Sequence, residues 1–198
     1  MNTHNPNLAK HGIVAIVLAL FVSAFGFAQR APKPAKPKRE YIQAVAQGTS
    51  TQMGQIVNVQ ITIEEYSTAE DQKALLEAFD QKGQEGLFHA LDKMKAKGRI
   101  AITGTLGYDI NYVRQFPMPD GSRKIRLVTD RPVKFREAWA DGRSTEYDLS
   151  AAEIIISPRK KESTGTLLPA CKFKIDKKDG LQIEALRNPW KLTNIMKR

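Results

Sequence analysis

The sequence predicts an α+β domain of mostly antiparallel β structure, either a sandwich or a partly closed barrel of about seven or eight strands. Apolar and polar residues alternate with a period of two in several segments after Tyr41, as in strands with one solvated face. Between Ser67 and Gly98 the period becomes helical, which predicts a two-helix hairpin inserted after the second strand. Short turn sequences separate the predicted strands and favour antiparallel pairing.

The N-terminus predicts export. After a polar start, Ile13–Phe27 is almost purely apolar and about 15 residues long, shorter than the ~20 residues of a membrane-spanning helix. The small residues Gly26 and Ala28 precede Gln29, as at a signal-peptidase site, so residues 1–28 are predicted to be a signal peptide and the mature chain to be periplasmic or secreted. An alternative is an uncleaved chain with a single N-terminal membrane anchor. Both alternatives place the domain outside the cytoplasm.

Positive charge is concentrated just after the predicted cleavage site. The chain has 31 Lys and Arg against 21 Asp and Glu, a net charge of +10. Residues 29–39 contain five basic residues and three prolines, which predicts an extended basic linker. From Glu40 onward 25 basic and 21 acidic residues remain, a net charge of +4. The linker either contacts an anionic surface or is a solvated spacer before a single domain at 40–198.

The first predicted strands are Glu40–Gly48 and Gln55–Glu65, joined by a turn at 48–54. The second strand has the cleanest alternation in the chain, with four apolar residues on one face: Val57, Val59, Ile61 and Ile63.

The helical hairpin follows. Ser67 and Glu70 have the spacing of a capping box, Gly83 ends the first predicted helix, and a second helix runs from Gln84 to near Gly98. Its apolar stripe is predicted to pack on the sheet or to close one end of a barrel: Leu75, Leu76, Phe79, Leu87, Phe88, Leu91 and Met94.

The most clearly marked β-hairpin joins 106–116 to Arg123–Thr129 through the turn sequence at 117–121. Glu153–Ser157 is a predicted buried strand. The period-two pattern predicts one apolar face for 106–116, interrupted by Arg114 and formed by Leu106, Tyr108, Ile110, Tyr112 and Phe116.

The C-terminal part predicts a second hairpin, 164–175 with 181–186, and a last strand within 188–196 that starts at Pro189. The apolar face predicted for 164–175 is Leu167, Cys171, Phe173 and Ile175.

Residue composition excludes several kinds of chemistry. Cys171 is the only cysteine, so no intramolecular disulfide can form, and a cysteine-based metal site is not expected. After removal of the signal peptide His89 is the only histidine, and we predict no catalytic residue, no metal site and no cofactor. A modest charge of +4 without a recognisable module argues against nucleic acid as a partner. The carboxylates from which a hydrolase could draw an acid–base pair are Asp109, Asp130, Glu137, Asp141 and Asp148.

The densest polar and aromatic segment is 131–143. Arginine and tryptophan supply large binding energies when a partner desolvates them. The alternative is a tryptophan packed on the core with solvated arginines around it. The candidate binding residues are therefore Arg114, Lys134, Arg136, Trp139 and Arg143.

Short strings along the chain, at 106–108, 129–132, 135–139 and 143–144, resemble those of a family of uncharacterised exported bacterial proteins from acidobacteria-like genomes. The resemblance covers most of the chain from Tyr41 to the C-terminus and implies export but no activity and no functional residues. The sequence thus favours an exported, non-enzymatic domain that binds a partner or an envelope component. Two alternatives stay open: a lipocalin-like carrier of a small apolar ligand and a carboxylate-dependent hydrolase.

Export makes a direct prediction. Protein isolated from the cells that make it should begin at Gln29, because signal peptidase cleaves after the small residue Ala28. Intact-mass measurement and N-terminal sequencing of the fractionated protein test this. An unprocessed chain recovered from the cytosol would contradict it.

Overall fold

The computed structural model describes residues 39–133, 149–159, 162–176, 180–187 and 189–198. Within these ranges the chain contains nine strands and one long α-helix. A short 3-10 helix, Ser50–Gln52, lies between the first two strands. In chain order the elements are β1 (Glu40–Gly48), β2 (Ile56–Ile63), α1 (Ala69–Lys93), β3 (Gly98–Ile102), β4 (Tyr108–Pro117), β5 (Arg123–Thr129), β6 (Leu149–Ile156), β7 (Thr164–Asp176), β8 (Gly180–Arg187) and β9 (Trp190–Lys197).

The sheet closes on itself. Its strands follow the order β6-β5-β4-β3-β2-β1-β9-β7-β8, every pairing is antiparallel, and β6 also pairs with β7. Strands β8 and β9 both pair with β7 in one continuous register, from Ala170 opposite Arg187 to Leu167 opposite Trp190. β8 and β9 therefore act together as one strand of the closed sheet, with a break around Pro189. The result is a closed eight-stranded barrel, so the predicted sandwich is wrong and the predicted barrel is confirmed in part, because the sheet closes fully and not partly.

Two apolar cores hold the fold together. The inner faces of the strands form the first core, inside the barrel: Ile42, Ala44, Ala46, Val59, Ile61, Ile63, Ile100, Ile110, Val113, Ile125, Leu127, Val133, Ala152, Ile154, Leu167, Trp190, Leu192 and Ile195. The second core lies on the outside of β4–β8, beneath the helix: Leu75, Leu87, Leu91, Tyr112, Val128, Leu149, Ala151, Leu168, Cys171, Phe173 and Leu181. Strands β4 to β7 are therefore apolar on both faces over part of their length.

The period-two pattern predicts that the apolar residues of a strand lie on one face. Register shifts in two strands place them on both faces instead. In β4 the register shifts between Ile110 and Tyr112, so Ile110 lies in the barrel and Tyr112 under the helix. The predicted common face of 106–116 is therefore wrong, and Leu106, at 89% exposed, lies outside both cores. A bulge inserts one residue, and every later side chain then changes face.

The same correction applies to β7. Its register against β6 shifts between Leu168 and Cys171. Leu167 consequently lies in the barrel, while Cys171 and Phe173 lie in the second core. Ile175 is 39% exposed, so the predicted common face of 164–175 is wrong as well.

The predicted two-helix hairpin is not found. Over the described residues there is one α-helix, α1, which is interrupted at Lys82 and at Gly83, where φ is +58°. A side chain at Gly86 would collide with the carbonyl oxygen of Ala78, so the turns on either side of the kink pack closely. No helix in the described ranges is long and apolar enough to cross a bilayer.

The capping box also lies one residue later than predicted. The Thr68 hydroxyl accepts from the Asp71 N–H at 3.1 Å, and the Asp71 carboxylate accepts from the Thr68 N–H at 2.9 Å. Ser67 is engaged elsewhere, since its N–H donates to the Val113 carbonyl and its hydroxyl accepts from the Val113 N–H. The backbone pairing of Ser67 with β4 thus moves the start of the helix.

A polar network lies at the barrel end where β1 begins. We call it the Glu40 network: Glu40, Tyr66, Gln115, Arg123 and Lys197. The Glu40 carboxylate accepts from Arg123 Nη1 at 3.0 Å, from Arg123 Nη2, and from the Tyr66 hydroxyl at 3.1 Å. Lys197 Nζ is 3.0 Å from the same carboxylate, and Arg123 also donates to Gln115 Oε1 at 3.1 Å. The network links the first and last strands of the described chain with β4 and β5.

The environment of Glu40 shifts its pKa. Burial alone would raise the pKa, but the hydrogen bonds and positive charges of Arg123 and Lys197 outweigh it and lower the pKa from 4.5 to about 2. Burial likewise raises the pKa of Tyr66 to about 12, so its hydroxyl stays a neutral donor. A carboxylate with a lowered pKa stabilises the fold while it is ionised.

We therefore expect Glu40→Gln to lower the free energy of unfolding by about 1–3 kcal/mol at neutral pH, because Arg123 loses its counter-charge. The contribution of Glu40 is complete above its unfolded pKa and is lost as the pH falls from about 4.5 to about 2. Denaturant unfolding of the wild type and the variant at several pH values measures both effects, and the two curves should converge at low pH.

Glu77→Gln is the matched control. Glu77 is 60% exposed and lies 3.7 Å from the exposed Lys73, so its loss should change stability by less than about 0.5 kcal/mol. Equal effects of the two substitutions, or a difference between the curves that does not depend on pH, would show that the Glu40 network is not stabilising.

Candidate functional site

The outer faces of β4, β5 and β6 carry three cross-strand rows of side chains. The first row lies in the second core under α1, the next is charged, and the last lies towards the β4–β5 turn. The rows are Tyr112–Val128–Ala151, Arg114–Arg126–Glu153 and Phe116–Lys124–Ile155. The charged row therefore begins where the apolar face covered by the helix ends.

Three cationic side chains surround one aromatic ring. The guanidinium carbons of Arg114 and Arg126 are 5.0 Å and 5.3 Å from the centre of the Phe116 ring, and Lys124 Nζ is 5.0 Å from it. Such distances allow cation–π attraction. With Glu153, these four residues form what we call the Phe116 cluster, which has three positive charges and one negative charge.

Arg126 is the fixed member of the Phe116 cluster. Its residue is 4% exposed, its Nε donates to Glu153 Oε1 at 2.7 Å, and its Nη2 is 2.6 Å from the same oxygen. Its Nη1 donates to the carbonyl of Leu181. Arg126 thus has its charge and its donors satisfied, so it shapes the site and leaves Arg114 and Lys124 as the source of the surplus positive charge.

Arg114 is the unsatisfied member. It lies directly opposite Arg126 in the β4–β5 register, where like charges repel. Its Nη1 is buried and has no hydrogen-bond acceptor among the described residues. Gly180 packs beside it, since a Cβ at that position would lie 3.5 Å from Nη1. A buried charged donor without an acceptor costs about 1–3 kcal/mol, which an acceptor from outside the chain would recover.

Lys124 is the third cation and completes the positive side of the Phe116 cluster. Within the described part of the chain it has no ion-pair partner, and its one contact of note is the Phe116 ring. Because Glu153 is held by Arg126, neither Arg114 nor Lys124 has a counter-charge among the residues that the structure describes. The arrangement is suited to binding an anion.

The structure places one predicted binding residue in this cluster and leaves the other four untested. Arg114 is the central unsatisfied donor. The other four lie outside the described residues: Lys134, Arg136, Trp139 and Arg143. Sequence reasoning missed Phe116, Lys124, Arg126 and Glu153. Pairing around the predicted 117–121 turn would place Arg114 opposite Lys124, whereas the observed register, with Pro117 opposite Arg123, places Arg114 opposite Arg126.

Cys171 and His89 lie away from any such arrangement. Cys171 is 1% exposed in the second core, and burial raises the pKa of its thiol to about 12, so the predicted core position is confirmed. His89 is exposed on α1, 3.7 Å from Glu85. Among the described residues no three His, Cys, Asp or Glu side chains are grouped as a metal site requires.

The candidate carboxylates form no acid–base pair in the described ranges. Asp109 lies 3.5 Å from Arg99, and Asp130 lies 2.7 Å from Arg131. Each is therefore bound by an arginine. The remaining candidates lie outside the described residues: Glu137, Asp141 and Asp148.

Comparison of the chain with protein-family models, with curated proteins and with solved structures found no match. The resemblance to exported bacterial proteins therefore stays a prediction. Any function has to be argued from the residues and contacts of this chain.

Removal of the Glu153 carboxylate should destabilise the protein. In Glu153→Gln, Arg126 keeps a side chain that is 5% exposed but loses its counter-charge, so we expect the free energy of unfolding to fall by about 2–4 kcal/mol. Denaturant unfolding measures the change. Glu162→Gln is the control, because Glu162 is 53% exposed and pairs with the exposed Arg159. A loss as small as that of the control would mean that Arg126 does not need Glu153.

Proposed function

We propose that the protein is an exported, non-enzymatic binding module whose Phe116 cluster holds an anionic group of an envelope component. The observation that carries this proposal is the surplus of positive charge beside a buried Arg114 Nη1 that has no acceptor in the described ranges. An anion placed there would accept from Arg114, attract Lys124 and relieve the repulsion between Arg114 and Arg126.

The surroundings of the cluster favour tight recognition over diffuse attraction. Arg126 and Phe116 are held in place by neighbouring strands, and Arg126 has hydrogen bonds from every nitrogen. A preorganised group loses little conformational entropy when a ligand binds. The partly buried position also weakens competition from water, which strengthens each charged contact.

The N-terminal part of the chain supports the same proposal. A signal peptide over 1–28 would deliver the domain to the periplasm or beyond, and an uncleaved anchor would hold it at the membrane. The basic linker 29–39 would add attraction to an anionic surface. The last residue of the linker, Arg39, lies 3.4 Å from Glu64, so the linker joins the domain near the Glu40 network.

The closed barrel supports a second candidate, a carrier of a small apolar ligand. Eight strands give an interior that side chains fill or that holds one small ligand, and the inner faces here are apolar. The third candidate, a carboxylate-dependent hydrolase, has less support, because Asp109 and Asp130 are each held by an arginine.

Binding to anionic vesicles tests the proposal. The wild type should bind phosphatidylglycerol-containing vesicles and ignore neutral phosphatidylcholine vesicles, and Arg114→Gln and Lys124→Gln should each weaken binding about 10-fold. Co-sedimentation at several salt concentrations measures affinity, and inorganic pyrophosphate as a soluble competitor separates recognition of the phosphate from recognition of the surface. Lys191→Gln, an equal charge change on β9, is the control and should alter affinity less than about 2-fold.

Two outcomes would overturn the proposal. Equal affinity of the Arg114, Lys124 and Lys191 variants would show that net charge alone drives binding. Absence of vesicle and pyrophosphate binding, with a protein partner recovered in native mass spectrometry of the protein from its host, would favour a protein-binding module. A co-purifying apolar mass that the Arg114→Gln variant retains would favour the carrier.

A further inference from the structure

One side of the barrel is free of charge. No Asp, Glu, Lys, Arg or His occurs from Tyr41 to Ile63 or from Ile100 to Tyr108, although 26% of the chain is charged. These stretches form β1 after Glu40, all of β2, most of β3 and the turns 49–55 and 103–107. We call the outer side of β1 and β2 with these two turns the neutral face.

The two turns of the neutral face expose large apolar side chains. Met53 in the first turn is 80% exposed and Leu106 in the second is 89% exposed, and Ile56, at the start of β2 beside the first turn, is 65% exposed. Both turns lie at the same end of the barrel, since Thr103 N–H, beside the second turn, donates to the Asn58 carbonyl at 3.0 Å. Exposed apolar groups gathered at one site are typical of an interaction surface.

Backbone hydrogen bonds hold these turns in one conformation. Gly48 N–H donates to the Gln55 carbonyl at 2.9 Å, and Gln55 N–H donates to the Gln52 carbonyl at 3.1 Å. The Thr49 hydroxyl donates to the Pro189 carbonyl, which fastens the first turn to the start of β9. The apolar side chains are therefore displayed on an ordered support, and less entropy is lost when a partner covers them.

We infer that the neutral face is the contact surface between two copies of this chain. A two-fold contact brings the same patch of both copies together, so a charged patch would oppose its own charge. The residues from Glu40 onward have a net charge of +4, so two copies of the domain repel each other. This repulsion is smallest when the surfaces in contact carry no charge. The neutral face meets this condition and provides apolar groups to bury.

The polar side chains of the neutral face suit a partner identical to itself. Amide side chains both donate and accept hydrogen bonds, so they can pair with their own copies across a two-fold axis. Such residues alternate along the outer faces of β1 and β2: Gln43, Gln47, Asn58 and Gln60. The linker joins the opposite end of β1, so a contact through the two turns leaves both linkers unobstructed.

Sedimentation velocity over a range of concentrations tests this inference on the protein purified in its processed form from its host. The wild type should pass from monomer to dimer as concentration rises, and the dimer should persist at high salt, because no ion pair holds it. Met53→Lys and Leu106→Lys place a charge at the contact and should each weaken dimerisation about 10-fold or more, while their exposed positions leave the fold intact.

Ile175→Lys is the matched control. Ile175 is 39% exposed on β7, a strand that is not part of the neutral face, so the same charge there should leave dimerisation unchanged. A monomer at every concentration would overturn the inference. So would dimers that dissociate in salt, or that respond equally to the substitutions at Ile175 and Leu106. Failure of this test leaves the anion-binding proposal untouched, because the Phe116 cluster lies on other strands.

Discussion

Closure of the barrel is the constraint on which the rest of the structure depends. Once eight strands close, every strand must present an apolar inner face, and the interior is packed with isoleucine, valine, leucine and alanine side chains and with Trp190. Strands β4 to β7 are apolar on their outer sides as well over part of their length, so a second apolar surface must be shielded from water. The helix α1 covers that second apolar surface, and its residues Leu75, Leu87 and Leu91 are fully buried against it.

Charged side chains lie on the outer face of the sheet just beyond the surface that α1 covers. Along β4 the outward side chains change from Tyr112, under α1, to Arg114 and then Phe116. The edge of the helix and Gly180 shield part of the Arg114 side chain from water. The β4–β5 register places Arg126 directly beside it. A site with surplus positive charge among the described residues therefore arises at a boundary between packing and solvent.

Charge is distributed unequally around the barrel. The sector of β4–β6 carries the Phe116 cluster, and the sector of β1–β2 carries only uncharged residues between Tyr41 and Ile63. The Glu40 network lies at the end where the linker joins, and the exposed apolar turns lie at the other. A protein built this way can present one surface to an anion and a separate one to its own copy without either contact obstructing the other.

The local pattern of apolar, polar and turn residues along the chain predicts several of the strands and turns that the structure has. Alternation in 55–65 located β2 and its buried face, the turn at 117–121 located the β4–β5 hairpin, and Pro189 marked the start of β9. These features depend on neighbours in the chain, so the sequence by itself contains them. Tertiary structure alone decided that the sheet closes, that Leu167 and Phe173 belong to different cores, and that Thr68, not Ser67, caps the helix. Each of these depends on a bulge or on a backbone pairing between distant segments, and a one-residue shift in register leaves no trace in the local period of hydrophobicity.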